Sequence, residues 1–197
     1  TLFRSPVDGL ALEQTAKRVL KEVTKECSWM YETKHTDGRI GKINYTIWSD
    51  VFLCPECVGD LLFWDVAVDK NSWQVLDSFK CPHCSALLSK RAIERKWESS
   101  VDSVTKEVVQ KAKQAPALIH YKIGKSAFTK KPDQEDISLF ERTNQFIVGH
   151  WYPTDKLPTG YNTTQPQKSH GIFRVHEFFT NRALAVLASY ASKITDN

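Results

Sequence analysis

Four cysteines form the most chemically specific pattern in this chain. Cys54-Pro55-Glu56-Cys57 and Cys81-Pro82-His83-Cys84 share one spacing, and 23 residues separate the two pairs. Two cysteines three positions apart on a tight turn can direct both sulfurs at one ion, and two such turns complete a tetrahedral shell of thiolates. The pattern therefore predicts a four-cysteine metal site made by Cys54, Cys57, Cys81 and Cys84.

Zinc is the ion that this ligand set predicts, because tetrahedral thiolate coordination selects zinc or iron. A shell closed by four protein ligands leaves no position for water, so one structural Zn²⁺ is expected. The same spacing is also typical of a rubredoxin-like iron centre, which would make this a redox protein. A colourless purified protein would exclude iron. His83 lies between two sulfur ligands and is expected to be an exposed side chain, and the other five histidines show no pattern of a second metal site.

Composition restricts the class of protein and its compartment. With 197 residues, 41% of them hydrophobic and 25% charged, the chain has the composition of a folded globular protein. The most apolar uncharged run, residues 183–192, is too short to cross a membrane, and the first residues do not resemble a secretory signal. Paired cysteines without such a signal favour a metal site in a reducing compartment, so we expect a cytoplasmic protein with no membrane partner. The chain does not begin with methionine, which indicates a piece of a longer polypeptide.

A helix is predicted from Asp8 to about Cys27. Asp8 can cap its first amides, and Val7 can pack on Leu12. Apolar residues then recur at steps of three and four, which gives one apolar stripe. The stripe consists of Leu12, Ala16, Val19, Leu20, Val23 and Cys27. Cys27 has no partner in a cysteine pair and is expected to be a small core residue.

Alternating residues predict strands on both sides of the turn at Asp37-Gly38, one at Trp29, Tyr31 and Thr33 and the other at Ile43, Tyr45 and Ile47. Between the cysteine pairs we expect a hairpin with strands 61–68 and 73–79. Residues 89–116 fit either a helix or two strands around Asp102-Ser103, and poor helix formers over 99–105 favour the strands. Four further elements are predicted after this segment: a strand over 117–123, a helix from Pro132-Asp133 to about Asn144, a surface loop over 150–169 and a helix from Thr180 to Ile194.

These elements predict an α+β fold of small antiparallel β elements with a zinc ribbon, flanked by N- and C-terminal helices. We divide it into four segments. The first, 1–50, holds the N-terminal helix and hairpin, and the second, 51–90, holds the ribbon. The third, 91–148, is a basic β/α segment, and the fourth, 149–197, holds a loop and the C-terminal helix.

Positive charge is concentrated after the ribbon. Residues 86–131 carry eleven Lys or Arg against four Asp or Glu, while the whole chain has a net charge of only +4. A concentrated basic stretch is compatible with a phosphate-bearing partner, and a solvated surface of lysines is the alternative. The candidate DNA-binding residues are Lys90, Arg91, Arg95, Lys96, Lys111 and Lys113.

Several segments, taken with the cysteine pairs and in the same order, resemble one known family over nearly the whole chain. They are residues 5–8, 16–23, 29–33, 37–39, 45–50, 151–155 and 176–187. The family is that of large bacterial site-specific DNA methyltransferases acting on adenine N6 or cytosine N4. One local departure is that knuckles of this type usually place Gly after the second cysteine, whereas Val58 and Ser85 stand there here.

The resemblance implies a position within a parent enzyme. In that family a Phe-x-Gly-x-Gly segment that binds S-adenosylmethionine precedes this region, and an Asp-Pro-Pro-Tyr or Asp-Pro-Pro-Phe motif that holds the target amine follows it. Neither occurs in this sequence. The resemblance therefore implies no catalytic residue here, S-adenosylmethionine bound only by the parent, and a segment that is inactive alone.

The implied partners are DNA, contacted through the parent protein, and the missing methyltransferase core. The apolar stripes of the two terminal helices would pack on that core or pair in a homodimer of the fragment. The alternative function is a non-enzymatic zinc-ribbon protein that binds nucleic acid or protein. The two readings differ in whether the intact gene product binds S-adenosylmethionine.

Overall fold

The computed structural model describes residues 8–102 and 105–195, and its architecture is built on one long strand. Strand β2 (Ile40–Leu53) pairs antiparallel with β9 (Gln114–Ile123), and the main sheet has the order β1-β2-β9-β10, with β1 at Glu32–Lys34 and β10 at Ser126–Lys130. The end of β2 also pairs with β3 (Asp60–Leu62) and β6 (Glu94–Arg95). β2 therefore connects the main sheet directly to the first cysteine pair. The fold is mixed helix and antiparallel sheet, as predicted.

Two further hairpins are separate from the main sheet. β4 (Phe79–Lys80) pairs with β5 (Leu87–Leu88) around the second cysteine pair, and β7 (Trp97–Val101) pairs with β8 (Val108–Ala112). The second hairpin confirms the two-strand interpretation of residues 89–116. Asp102 lies at its turn, and Ser103 lies outside the described residues.

The inner face of the sheet packs on helix α3 (Gln134–Gln145). Its core contains Ile43, Tyr121 and Phe140, all at least 95% buried. A capping box fixes the start of α3, because Asp133 accepts from the amide of Asp136 and the Asp136 carboxylate accepts from the amide of Asp133, each at 3.0 Å. The predicted start of this helix is confirmed.

Helices α1 (Gly9–Cys27) and α5 (Asn181–Thr195) pack against each other. The predicted cap is present, since Asp8 Oδ1 accepts from the amides of Leu10 and Ala11 at 2.9 and 3.2 Å. The contact buries Val19, Val23 and Cys27 against Val186 and Tyr190. Cys27 is a core residue, as predicted, whereas three other members of the predicted stripe, Leu12, Ala16 and Leu20, are exposed. Val7 lies outside the described residues.

Three of the predicted strands are wrong over most of their length. Residues 63–67 form helix α2 (Phe63–Ala67), and only one isolated bridge, Val68 to Val75, joins the segments predicted as a hairpin. A short apolar run in the sequence is compatible both with a strand and with a buried helix. Here the rings of Phe63 and Phe52 pack with centroids 5.3 Å apart, which holds α2 against β2. Likewise Ser28–Tyr31 forms a 3₁₀ helix, and only Glu32–Lys34 of that segment is a strand.

The predicted loop over 150–169 is also wrong in part, because Tyr161–His170 forms helix α4. Its composition is poor for a helix, but propensity is a weak prior that tertiary contacts override. Gly171 ends α4 in the left-handed conformation, with its amide directed at the carbonyl of Gln167. It lies so close to β8 that a Cβ there would be 2.0 Å from the Gln110 carbonyl oxygen.

The division into four segments stays a prediction, and β2 runs without interruption across its first boundary at 50–51. Within residues 8–102 and 105–195, no helix combines the length and apolar character needed to cross a bilayer.

Candidate metal centre

The two cysteine pairs lie on turns of identical construction. In the first, the amide of Cys54 donates to the Gly59 carbonyl at 3.0 Å and the amide of Val58 donates to the Cys54 carbonyl at 2.9 Å. The second repeats both bonds, from Cys81 to Ala86 and from Ser85 to Cys81, each at 2.9 Å. We call these turns the first and second knuckle.

The knuckles bring the four predicted sulfurs together. Sγ of Cys54 lies 3.8 Å from Sγ of Cys84, and Sγ of Cys57 lies 3.8 Å from Sγ of Cys81. All four sulfurs lie within 4.8 Å of one another. A zinc–sulfur bond of about 2.3 Å in a tetrahedral shell requires sulfurs about 3.8 Å apart, far beyond the length of a disulfide. The cluster is therefore compatible with a metal ion such as zinc.

The residues after the second cysteines adopt the backbone conformation that Gly would favour. Val58 has φ of 58° and Ser85 has φ of 63°, although neither is glycine. This conformation is sterically unfavourable for a β-branched residue. The absence of Gly therefore leaves the turn geometry intact, with local backbone strain at Val58.

Backbone amides and neighbouring sulfurs give the thiols of Cys81 and Cys84 different pKa values. Burial alone would raise the pKa of Cys81, but the amides of Cys84 and His83 and the adjacent thiols lower it to about 6. The amide of Ala86 lowers the pKa of Cys84, yet burial and the three other sulfurs together raise it to about 12. A bound cation would favour the thiolate form of all four sulfurs, because it compensates their negative charge.

A small apolar core holds the knuckles in place. Cys54 and Cys81 are at least 98% buried in it, while Cys57 and Cys84 face outward. Its apolar members come from β2, β3, β4, β5 and the loop before β6, namely Phe52, Leu61, Phe79, Leu88 and Ile93. His83 is exposed, as predicted, and its Nε2 lies 3.0 Å from the carbonyl oxygen of Asp60 in the opposite segment.

Four of the six candidate DNA-binding residues are engaged by carboxylates. Lys96 binds Asp60 at 2.8 Å, and its hydrogen bond holds the pKa of Asp60 below the ordinary value. The other three ion pairs join Arg95 to Asp50 at 2.8 Å, Lys111 to Glu177 at 3.3 Å and Lys113 to Glu98 at 3.0 Å. Acidic residues from distant segments thus offset much of the charge that is concentrated in the sequence. Lys90 and Arg91 are exposed, and the ammonium of Lys90 lies over the Phe63 ring.

A groove of about 370 Å³ beside the ribbon combines Lys90 and Arg95 with Lys168, which lies far outside the basic segment. Lys168 reaches it from α4, and Trp97, 43% exposed, lines it from β7. One carboxylate, Glu94, also lines it, and its floor includes Phe52 and Ile93 of the metal-site core. We call it the basic groove. Lys168 was missed because residues 150–169 gave no helical signal.

A second cluster of acidic and histidine side chains lies elsewhere. Asp102, His176 and Glu177 place one ligand atom each within 4.8 Å of the others, and the sequence gave no signal for it. Nε2 of His176 lies 2.9 Å from Oδ2 of Asp102, with both residues buried. Glu177 Oε2 accepts from two backbone amides, and Oε1 pairs with Lys111. These hydrogen bonds give the cluster a structural role in joining the β7–β8 turn to the 3₁₀ helix Val175–Phe178.

Comparison of the chain with protein-family models, curated proteins and solved structures finds no match in any of the three.

Proposed function

We propose that this chain is a segment of an S-adenosylmethionine-dependent DNA methyltransferase, stabilised by one structural Zn²⁺, and that it supplies DNA contacts to the parent enzyme. The methyl transfer belongs to the rest of that enzyme. Support for the family comes from the order of the resembling segments. Support for zinc comes from the spacing of the four sulfurs.

The observation that carries the DNA-binding part is the basic groove. Three cations from the loop after β5, from β6 and from α4 converge on it beside an exposed indole ring: Lys90, Arg95 and Lys168 beside Trp97. The guanidinium of Arg95 donates through Nε to Asp50, which leaves its terminal nitrogens for a phosphate. Long basic side chains around a concave surface are suited to the DNA backbone.

The core around the metal site and the floor of the basic groove share residues. Phe52 and Ile93 belong both to the groove floor and to the core around Cys54 and Cys81. Because zinc binding contributes on the order of 10 kcal/mol to folding in small zinc modules, the ion would fix this floor as well as the knuckles. Removal of zinc should therefore weaken DNA binding without removing any basic residue.

The test is duplex binding by the purified chain, followed by fluorescence anisotropy over a range of salt concentrations. Charge reversal at Lys90, Arg95 and Lys168, the three cations that line the groove, should weaken binding and reduce the salt slope, by about 0.9 for each lost phosphate contact. Lys21→Glu on α1 is the matched control, since Lys21 is exposed and far along the chain from the groove residues. Duplex binding that does not depend on salt, or that survives all three reversals, would overturn the DNA proposal.

The alternative, a non-enzymatic zinc-ribbon protein, shares the zinc site and the groove. Binding of S-adenosylmethionine by the intact gene product separates the two. This segment alone should show no such binding under either proposal.

A further inference from the structure

The face of the main sheet opposite α3 carries two lysines side by side, and Lys42 also lines a pocket formed with helices α1 and α5. Lys42 on β2 lies directly opposite Lys122 on β9, and both are exposed. The next residues on each strand, Ile43 and Tyr121, are buried on the inner face. Like charges directly opposite each other on a sheet are unfavourable. Among the described residues no carboxylate lies within ion-pairing distance of either ammonium, and Glu32, opposite Lys42 on β1, is not paired with it.

The adjacent row of the same face carries stacked aromatic rings. Tyr45 is registered opposite His120, their centroids lie 4.7 Å apart and the ring planes differ by 2°. The side-chain amide nitrogen of Asn44 lies 3.1 Å from Nδ1 of His120 and orients that ring. Tyr45 is 51% exposed, although a ring on a folded sheet is more favourably covered.

Small residues on β10 extend both rows without covering them. Ala127 is registered opposite Lys122 and Thr129 opposite His120, and both are exposed. The result is a surface with two cations at one end and a stacked ring pair beside them. We call it the open sheet face, formed by Lys42, Tyr45, His120, Lys122, Ala127 and Thr129.

We propose that the open sheet face binds single-stranded nucleic acid. An unpaired base stacks on the Tyr45–His120 pair, and the flanking phosphates bind Lys42 and Lys122. Stacking on exposed aromatic rings beside cations is the chemistry by which proteins hold unpaired strands, and a duplex does not offer its base faces for it. Lys42 and Lys122 are residues that the basic groove does not use, so this site is distinct from the proposed duplex site.

The proposal is tested with the full chain, a fluorescein-labelled oligothymidylate and an abasic phosphodiester strand of the same length. Tyr45→Ala should weaken oligothymidylate binding about 5- to 150-fold, the range for loss of one stacked base. It should leave binding of the abasic strand unchanged, whereas Tyr45→Phe should retain both. The double variant Lys42→Gln, Lys122→Gln should weaken binding of both oligonucleotides and lower the salt slope of binding by about 1.4. The control double variant Lys21→Gln, Lys25→Gln on α1 should change neither.

Equal affinity of wild-type protein and Tyr45→Ala for oligothymidylate would overturn the stacking proposal. An unchanged salt slope in the double lysine variant would overturn the phosphate contacts. Retained zinc content and an unchanged circular dichroism spectrum show that each variant is folded. Lys168→Glu should leave oligothymidylate binding intact, because Lys168 belongs to the basic groove. The proposal for the groove and the proposal for the open sheet face can therefore fail independently of each other.

Discussion

The imidazole of His83 lies directly against the backbone of Gly59, although the two residues belong to different knuckles. A Cβ on Gly59 would lie 2.5 Å from Cδ2 of His83. The ring is held there by the contact of its Nε2 with the Asp60 carbonyl at 3.0 Å. Because Gly59 has no side chain, the His83 ring can pack on the backbone of Gly59 and Asp60, and this contact joins the two knuckles beside the sulfur cluster.

Gly59→Ala should loosen this contact. The added methyl group displaces the imidazole, and the loss of its hydrogen bond to Asp60 should cost about 0.5–1.5 kcal/mol of unfolding free energy, because both residues are exposed. We expect faster zinc loss to a chromophoric chelator and a lower midpoint in urea. Gly149→Ala is the control, because a Cβ there has no atom within 4 Å. Equal zinc loss from both variants would contradict the role of the contact.

Val58→Gly should stabilise the zinc-loaded protein. Val58 is 68% exposed and has φ of 58°, so glycine relieves backbone strain and removes little buried surface. The expected gain is about 1 kcal/mol in urea unfolding. Val108→Gly is matched in exposure at 73% but lies in β8, where glycine should destabilise. A loss of stability at both positions would show that the turn at Val58 is not strained.

Gly171→Ala should detach helix α4 from β8. Both Gly171 and Gly124 have positive φ, at 71° and 58°, so alanine at either position costs the same kind of backbone strain. Only at Gly171 does the Cβ clash with the Gln110 carbonyl, at 2.0 Å. We expect Gly171→Ala to lose clearly more stability than Gly124→Ala. It should also weaken duplex binding, because α4 carries Lys168. If Gly171→Ala and Gly124→Ala had equal effects on the free energy of unfolding and on duplex affinity, the contact of α4 with β8 through Gly171 would be contradicted.

Asp102→Ala should destabilise the contact between the β7–β8 turn and the 3₁₀ helix that follows α4. It leaves the buried imidazole of His176 without the carboxylate at Nε2, while Nδ1 already lacks a partner among the described residues. Loss of a buried hydrogen-bond partner costs about 1–3 kcal/mol, measured by urea unfolding. Asp37→Ala, which removes an exposed carboxylate paired with Arg39, should change stability little. An Asp102→Ala protein as stable as Asp37→Ala would rule out a structural role for the pair.

Sequence patterns were sufficient where local signals decide the structure. Asp8 and Asp133 begin their helices because each caps free amides, and the cysteine spacing predicts which four sulfurs lie together. The patterns failed where tertiary contacts decide. Residues 63–67 are helical through packing on β2, and α4 is held by the fit of Gly171 against β8.

The basic segment shows the same limit for the site. Charge counting could not foresee that Asp50, Asp60 and Glu177 would pair with its lysines and arginine. Nor could it foresee that Lys168, more than 70 residues away along the chain, would join Arg95 in one groove. Pairings of this kind depend on the topology of the sheet, and no spacing in the sequence encodes them.

Metal content tests the four-cysteine site most directly. Freshly prepared, reduced protein should contain one zinc per chain by elemental analysis, and Co²⁺ in its place should give the intense absorption of tetrahedral thiolate coordination. Replacing Cys57 and Cys84 with serine should abolish both signals, whereas Cys27→Ser should keep them, because Cys27 is buried between α1 and α5. Protein that folds without stoichiometric metal, or that keeps its zinc in the Cys57→Ser, Cys84→Ser variant, would contradict the central claim.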